Sequence, residues 1–341
     1  MIFLFLKYTK FIKEVDVMKN IAIIGAGNIG SRHLQALKKV IIPLDISVID
    51  PSDDSLKIAK ERYDSIPEGY CKHEIKYLKN YEGIKDEFDI AIIATHSTIR
   101  RTVIEQLLKL SNVKFFILEK ILFNKAEDYF FVRDLLKEHD CQAWVNCTRR
   151  VIPFYMNNVK NWFNNKKIIF TISGSQWKLI SNLIHFVDYL AYILDDDIIS
   201  IDFNNLDMEL INSNIPNFLE LNGIIKLSFT KGSLGFISCF STGTQPLIID
   251  IASNELRCII NEGEGKTLVN FNNKIGWEEF ESKILYTSQL TSFLVEDILK
   301  NNKCSLTPYN ESMKLHLSIY NPLLKLINEN FDKEFTYYPF T

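Results

Sequence analysis

Four polar residues, Ser181, His185, Asp188 and Tyr192, interrupt the otherwise apolar segment ISNLIHFVDYLAYIL (180–194). Intervals of four, three and four place them within about 60° of one another on one helix face at 100° per residue. A solvated stripe would carry lysine and glutamate, whereas small and titratable side chains fit a wall facing a polar pocket. His185 can exchange a proton near neutral pH, with Asp188 one turn away to orient it. A buried histidine satisfied by its helical neighbour fits the same spacing. No third side chain completes a metal site with His185 and Asp188, so no metal is expected. A second reactive group is Lys120, which ends the apolar run KFFILEK (114–120) directly after Glu119. Half-buried, such a lysine binds its proton less tightly and can hold or help deprotonate a hydroxyl. A strand end running into solvent with a surface ion pair is the plainer alternative.

A third group is a turn. In IAIIGAGNIGSRHLQAL (21–37), Gly25, Gly27 and Gly30 form GxGxxG between a strand-like and a helix-like stretch. The first glycine permits the tight turn, the second lets backbone approach a pyrophosphate, and the third allows close helix–strand packing. The helix start then offers unpaired N–H groups and a positive dipole end to phosphates. Asp50 follows Gly30 by twenty residues at the end of ISVID, where a carboxylate can accept from adenosine ribose hydroxyls and repel a 2′-phosphate. That pattern predicts NAD rather than NADP, held by Gly25, Gly27, Asn28, Ile29, Gly30 and Asp50. Alternatively, Asp50 with Pro51 caps the next helix. Thr95 and His96, ending FDIAIIAT, and Glu119 lie at strand ends along the expected nicotinamide path.

The elements that must position these groups fall into two halves. Apolar runs at 21–25, 46–50, 88–95, 114–120 and 142–148 alternate with helical patterns, which predicts a parallel, doubly wound α/β sheet. Beyond about residue 150 the helix at 180–194 is followed by IISIDF, IIKLSFT, SLGFISCFST, PLIIDIAS and ELRCIINEGEGKTLVNF. Hairpin signals at Lys231-Gly232-Ser233 and Glu262–Gly265 predict a mostly antiparallel second sheet. Helical patterns return at 288–300 and 312–327. The expected division is an extension over 1–17, a dinucleotide-binding domain over 18–148 and an α/β domain over 149–341, with a C-terminal helix packing back on the first domain.

Bulk properties narrow the function classes. A chain of 341 residues with 47% hydrophobic and 24% charged residues reads as two globular domains. A net charge of −3 lacks the basic footprint of a nucleic-acid partner. Six cysteines without a CxxC pair suit reduced thiols, hence the cytoplasm. The opening MIFLF is too short for a signal segment or a membrane span, and Met18 directly precedes the first strand, so residues 1–17 read as an add-on and no membrane is expected.

The order of these features resembles the Gfo/Idh/MocA oxidoreductase family, whose members act mostly on sugars, nucleotide-sugars and polyols. The resemblance rests on IAIIGAGNIGSRHLQAL, the IAT and EK strand ends, VNCTRRVIP and the HxxD helix, and spans roughly residues 18 to 330. It implies a Rossmann domain and an open-sheet α/β domain that commonly packs against another subunit, giving a homodimer or homotetramer. It also implies that Lys120 contacts the reacting hydroxyl and that His185 is the acid/base. Arg149 or Arg150 reaches substrate or cofactor, with Ser181, Asn182 and Asp188 on the substrate side. Two departures stand out: the proline after the lysine is Ile121, and the aspartate four residues before the histidine is Ser181. The expected activity is NAD-dependent dehydrogenation of a sugar or nucleotide-sugar, with SNLIHFVDYL leaning toward surface-glycan sugars. An NAD-retaining lyase or hydrolase and a silent dinucleotide- or sugar-binding protein are the alternatives.

Overall fold

The computed structural model describes residues 18–213, 215–332 and 334–341. The extension expected over residues 1–17 lies outside them. The first sheet takes six of its strands from the first half of the chain: β1 (Lys19–Ile24), β2 (Leu44–Ile49), β3 (Glu74–Leu78), β4 (Glu87–Ile93), β5 (Asn112–Leu118) and β6 (Gln142–Val145). They align in the order β3-β2-β1-β4-β5-β6, and the pairs from β3 to β5 are parallel. Helices α1 (Asn28–Leu37), α2 (Asp53–Asp64), α3 (Ser97–Leu110) and α4 (Ala126–Glu138) alternate with them. The apolar ends of β1 (Ile21–Ile24) and β4 (Ile90–Ile93) are buried on both faces, and so is all of β2 despite its Asp45 and Ser47, as a covered parallel sheet requires. Strand order reverses between β1 and β4, so a ligand crevice lies outside their carboxyl ends.

The strands stop short of the apolar runs. β2 ends at Ile49, so Asp50 follows the strand instead of closing it. β5 ends at Leu118, although Glu119 N still donates to Ile93 O at 3.1 Å. The run expected to 148 ends at Val145, and the chain bends into a 3-10 turn over Thr148–Val151 that carries Arg149 and Arg150. The half-exposed edge strand β3 carries too little apolar sequence to stand out in EIKYL.

The second sheet has eight strands among the described residues. They are β7 (Ile169–Ser175), β8 (Ile198–Leu206), β11 (Gly223–Phe229), β12 (Leu234–Phe240), β13 (Ile248–Ala252), β14 (Leu256–Asn261), β15 (Lys266–Phe271) and β16 (Glu278–Glu281). Their order is β16-β15-β14-β13-β7-β12-β11-β8, with a separate hairpin of β9 (Ile211–Asn212) and β10 (Leu219–Glu220). The sheet is open and mostly antiparallel; β7 pairs parallel with β12 and antiparallel with β13. Alternation along β11 and β12 buries one face and leaves Ile224, Phe236 and Phe240 exposed on the strands. Helix α5 (Leu179–Leu194) belongs with this sheet, followed by α6 (Thr287–Asn301) and α7 (Tyr309–Asn330).

The chain divides into two compact units. The first holds the described residues through Glu119 with Val132–Trp144 and Tyr286–Ser305; the second holds Lys120–Phe131, Val145–Leu285 and Leu306–Thr341. Within the first, α6 packs on α1, and His33 Nδ1 lies 2.8 Å from Thr291 Oγ1. No described helix is long and apolar enough to cross a membrane.

Backbone contact sets the turn after β1. Gly25 has φ +92°, and a Cβ on Gly30 would lie 1.7 Å from the Gly25 carbonyl oxygen. Because backbone sits on both sides of that contact, the helix must move to admit a side chain. Gly30→Ala is therefore expected to cost about 1–3 kcal/mol, read as a lower urea unfolding midpoint. A variant that unfolds with the wild-type midpoint contradicts the close approach.

Candidate functional site

The glycine turn of the first unit leaves backbone and a helix start open. A Cβ at Gly27 would meet nothing within 4 Å, so backbone there borders open space. Gly27 caps α1 with no side-chain hydrogen bond, and the first turn of α1 contains no acidic residue. Gly27, Asn28 and Ile29 are exposed. Asp50 Oδ2 accepts from Ala26 N at 2.7 Å and its Oδ1 from Ser52 N at 2.9 Å. One carboxylate thus pins the glycine turn and the approach to α2 while remaining half-buried. Arg62 on α2 donates to Asn28 O at 3.2 Å and to Ser31 Oγ at 2.5 Å. At the end of β4, the Thr95 and Ser97 hydroxyls are buried with no hydrogen-bond partner among the described residues. The exposed His96 binds its proton less tightly than an ordinary histidine, because of desolvation and then the nearby Arg100 charge. Room at Gly27, an uncapped helix start and unpartnered hydroxyls at the neighbouring strand end fit a dinucleotide.

Glu119 has a different placement from the expected one. Its Oε1 lies 2.9 Å from His33 Nε2, with both side chains buried, so this carboxylate faces α1 and not the nicotinamide path. A buried carboxylate is stabilised by such a partner, which decides its direction. Its backbone oxygen accepts from Arg100 Nη1 at 2.6 Å, and Arg100 also donates to Thr95 O. The buried Arg100 thus ties together the carboxyl ends of β4 and β5.

The second unit gathers Lys120, Ser181 and His185. Lys120 Nζ donates to Ser181 O at 3.0 Å, and the Lys120–Ile121 peptide is cis with Ile121 fully buried. His185 is half-buried, and its Nδ1 is enclosed without a hydrogen-bond partner among the described residues. Desolvation, then the charges of Lys120, Arg149 and His316, push its proton affinity well below the ordinary histidine value. Ser181 Oγ donates to Glu220 Oε2 at 2.6 Å, and Asn182 Nδ2 to Trp177 O at 2.7 Å.

Asp188 does not orient His185. Its Oδ1 accepts from Arg150 Nη2 at 2.8 Å and Thr307 Oγ1 at 2.5 Å, and its Oδ2 from Arg150 Nε at 2.9 Å. Burial raises its pKa to about 6, against the pull of Arg150 and Thr307. Arg150 also reaches Glu311 at 2.7 Å and is 5% exposed. A charge this deeply buried needs an opposite charge and hydrogen bonds, and Arg150 and Asp188 supply both to each other. Arg149 is likewise held, bidentate to Glu262 at 3.2 and 2.9 Å with its guanidinium carbon 3.8 Å from the Phe186 ring centroid. Tyr155 OH donates to the same Glu262 at 2.5 Å. Among the described residues no three His, Cys, Asp or Glu side chains gather as a metal site.

Glu220, His33 and Arg100 are not among the residues the sequence marks, and Glu262 is marked only as part of a hairpin. A signal exists for Glu220, a lone carboxylate within the apolar stretch PNFLELNGII. Glu262 sits in a charged hairpin that reads as solvated, and nothing local marks it out within that hairpin.

Residues 19–147 match the Gfo/Idh/MocA family model, described as an oxidoreductase family with an NAD-binding Rossmann fold. Residues 19–147 form a Rossmann domain of the NAD-binding type that this model describes. NAD is the cofactor of that fold, and the turn described above has its features. No curated protein matches the chain. Among solved structures, the chain is similar to an oxidoreductase from Agrobacterium radiobacter in complex with NAD+, L-tartaric acid and magnesium. The two are 15% identical with a TM-score of 0.70, covering 89% of this chain and 94% of that one. A UDP-N-acetylglucosamine 3-dehydrogenase from Acidithiobacillus ferrooxidans is 9% identical with a TM-score of 0.69, covering 89% and 96%. The transcriptional regulator Gal80p from Kluyveromyces lactis is 14% identical with a TM-score of 0.69, covering 92% and 90%. At these identities the likeness concerns the fold.

Two outcomes follow from this geometry. Gly27→Val should keep the unfolding midpoint yet weaken NAD binding at least about tenfold, since the Cβ position is open to the pyrophosphate. Isothermal titration checks this, and unchanged affinity removes Gly27 from the cofactor surface. Arg150→Met should destabilise by about 3–5 kcal/mol in chemical unfolding by leaving Asp188 buried and unpaired. A loss below about 1 kcal/mol would show that the pair is dispensable.

Proposed function

We propose that the chain is an NAD-dependent oxidoreductase acting on a secondary alcohol of a sugar or nucleotide-sugar. The observation that carries this reading is the Lys120–Ser181–His185 wall, where an anchored ammonium accompanies an imidazole of depressed proton affinity whose Nδ1 has no hydrogen-bond partner among the described residues. When bound, NAD supplies the nicotinamide that exchanges hydride with the carbinol carbon. Lys120 holds the substrate oxygen through an N–H donor and favours its deprotonation. His185 is neutral at physiological pH, because its proton affinity is lowered, and so is ready to take the hydroxyl proton. In the reverse direction the same low affinity makes protonated His185 a strong acid toward the developing alkoxide.

The cofactor is NAD and not NADP, since Asp50 places a carboxylate beside the turn and Arg62 is engaged by Asn28 and Ser31. A sugar substrate, within surface-glycan synthesis in the cytoplasm, draws support from the sugar-nucleotide dehydrogenase among the similar structures. The exposed apolar residues Ile224, Phe236 and Phe240 on the second sheet support a homodimer or homotetramer formed through that face.

Lys120→Ala and His185→Ala should each lower NADH formation by about two to four orders of magnitude with activated-sugar substrates, with NAD affinity unchanged. Wild-type turnover in both variants sinks the assignment. NAD binding by the parent chain without any NADH from a broad sugar panel points to the silent binding protein instead. The pH profile is a separate check. With a base whose proton affinity lies well below the ordinary 6.5, log kcat/KM for alcohol oxidation stays level as pH falls through 6.5. A limb centred near that value contradicts the depressed His185.

A further inference from the structure

We propose that Glu220 is a positioning residue that holds Lys120 in place through Ser181 and supplies the negative charge beside it. The proposal rests on reading Lys120 and His185 as the reacting pair. Helix α5, which carries both Ser181 and His185, begins without a cap of its own. Lys178 precedes it at φ +62° and makes no side-chain cap hydrogen bond. Glu220, on β10 of a different hairpin, fills the gap. Its carboxylate accepts from Ile180 N at 2.7 Å, Ser181 N at 3.2 Å, Ser181 Oγ at 2.6 Å and Leu221 N at 3.2 Å. All four partners are donors, and only an ionised carboxylate offers acceptors throughout. The positive end of the helix dipole favours the same state. Burial opposes it and raises the Glu220 pKa.

Ser181 is thereby fixed at both N and Oγ, and its carbonyl oxygen accepts from Lys120 Nζ. The path from carboxylate to ammonium therefore runs through one residue. The hairpin is itself held from behind, because Leu219 N donates to Pro339 O at 2.7 Å and the segment around it is buried. Other carboxylates on this wall have partners elsewhere: Asp188 is paired with Arg150 and Thr307, and Glu262 with Arg149 and Tyr155. His185, Arg149 and His316 are the further titratable or charged groups around the pair, and each raises the positive potential or leaves it unchanged. Serine at position 181 thus relays a charge that its own side chain lacks.

A cap alone would stabilise the helix without touching the amine of Lys120, so the test reads that amine. The full-length chain is treated with acetic anhydride across pH 7 to 11, and acetylation of Lys120 is followed by peptide mass spectrometry. Removing the charge with Glu220→Gln should lower the Lys120 midpoint by at least about 0.5 in pH and speed its labelling about threefold near pH 8. Glu220→Asp should restore most of the difference. A folded Glu220→Gln variant with the wild-type midpoint overturns the proposal. If that variant does not fold, Ser181→Ala decides: it removes one donor, should lower the midpoint in the same sense, and overturns the proposal if it does not. Labelling needs no substrate, so a failure here is distinct from failure of the dehydrogenase reading, which the Lys120→Ala turnover assay decides.

Discussion

Compensation of buried charge is the constraint around which the second unit is arranged. Helix α5 is enclosed almost throughout, yet it carries Ser181, His185 and Asp188. A polar group so placed is tolerated when another element meets it with a hydrogen bond or an opposite charge. Glu220 reaches Ser181 from a hairpin, while Arg150 from the turn after β6 and Thr307 together meet Asp188. Arg149 is met in the same way by Glu262 and the face of Phe186. His185 keeps one ring nitrogen unmet among the described residues, and burial, then Lys120, Arg149 and His316, lower its proton affinity. An imidazole treated this way stays neutral and keeps its lone pair available, which is the state a proton acceptor needs.

The first unit depends on a steric limit. Gly25 and Gly30 bring helix α1 against the strand end so closely that no side chain fits, and Gly27 leaves backbone open to a ligand. Asp50 and Arg62 then engage the backbone on either side of that turn. The carboxylate that follows β2 therefore also holds the glycine turn. Asp50 as helix starter and Asp50 as ribose acceptor are compatible roles, because each oxygen has room for more than one donor.

Much of the fold was legible because its signals are local. β1 and β4 end in continuous apolar runs, the glycine turn is a fixed spacing, and α5 has an unbroken helical period. Strand β7, near the centre of the second sheet, is not evident in the sequence: its burial alternates residue by residue, but the outward Ile169 and the inward Gly174 blur the apolar pattern of IFTISGS. The ends of β2, β5 and β6 were misplaced by one to three residues because apolar character continues past the last ladder bond. Within the candidate site, Lys120 and His185 were named from strand-end position and helix face, and the structure places both in one unit beside Ser181.

By itself the sequence determined the Rossmann turn, the alternation of strand and helix and the stripe on α5, since each depends on residues a few positions apart. Tertiary structure alone decided which polar group meets which. Asp188 turned to Arg150 instead of His185, Glu119 to His33 instead of a cofactor, and Glu220 to Ser181 across 39 positions of chain. Those pairings are set by which carboxylates lose contact with water and which donors lie within reach, and burial of that kind exists only once the chain has folded.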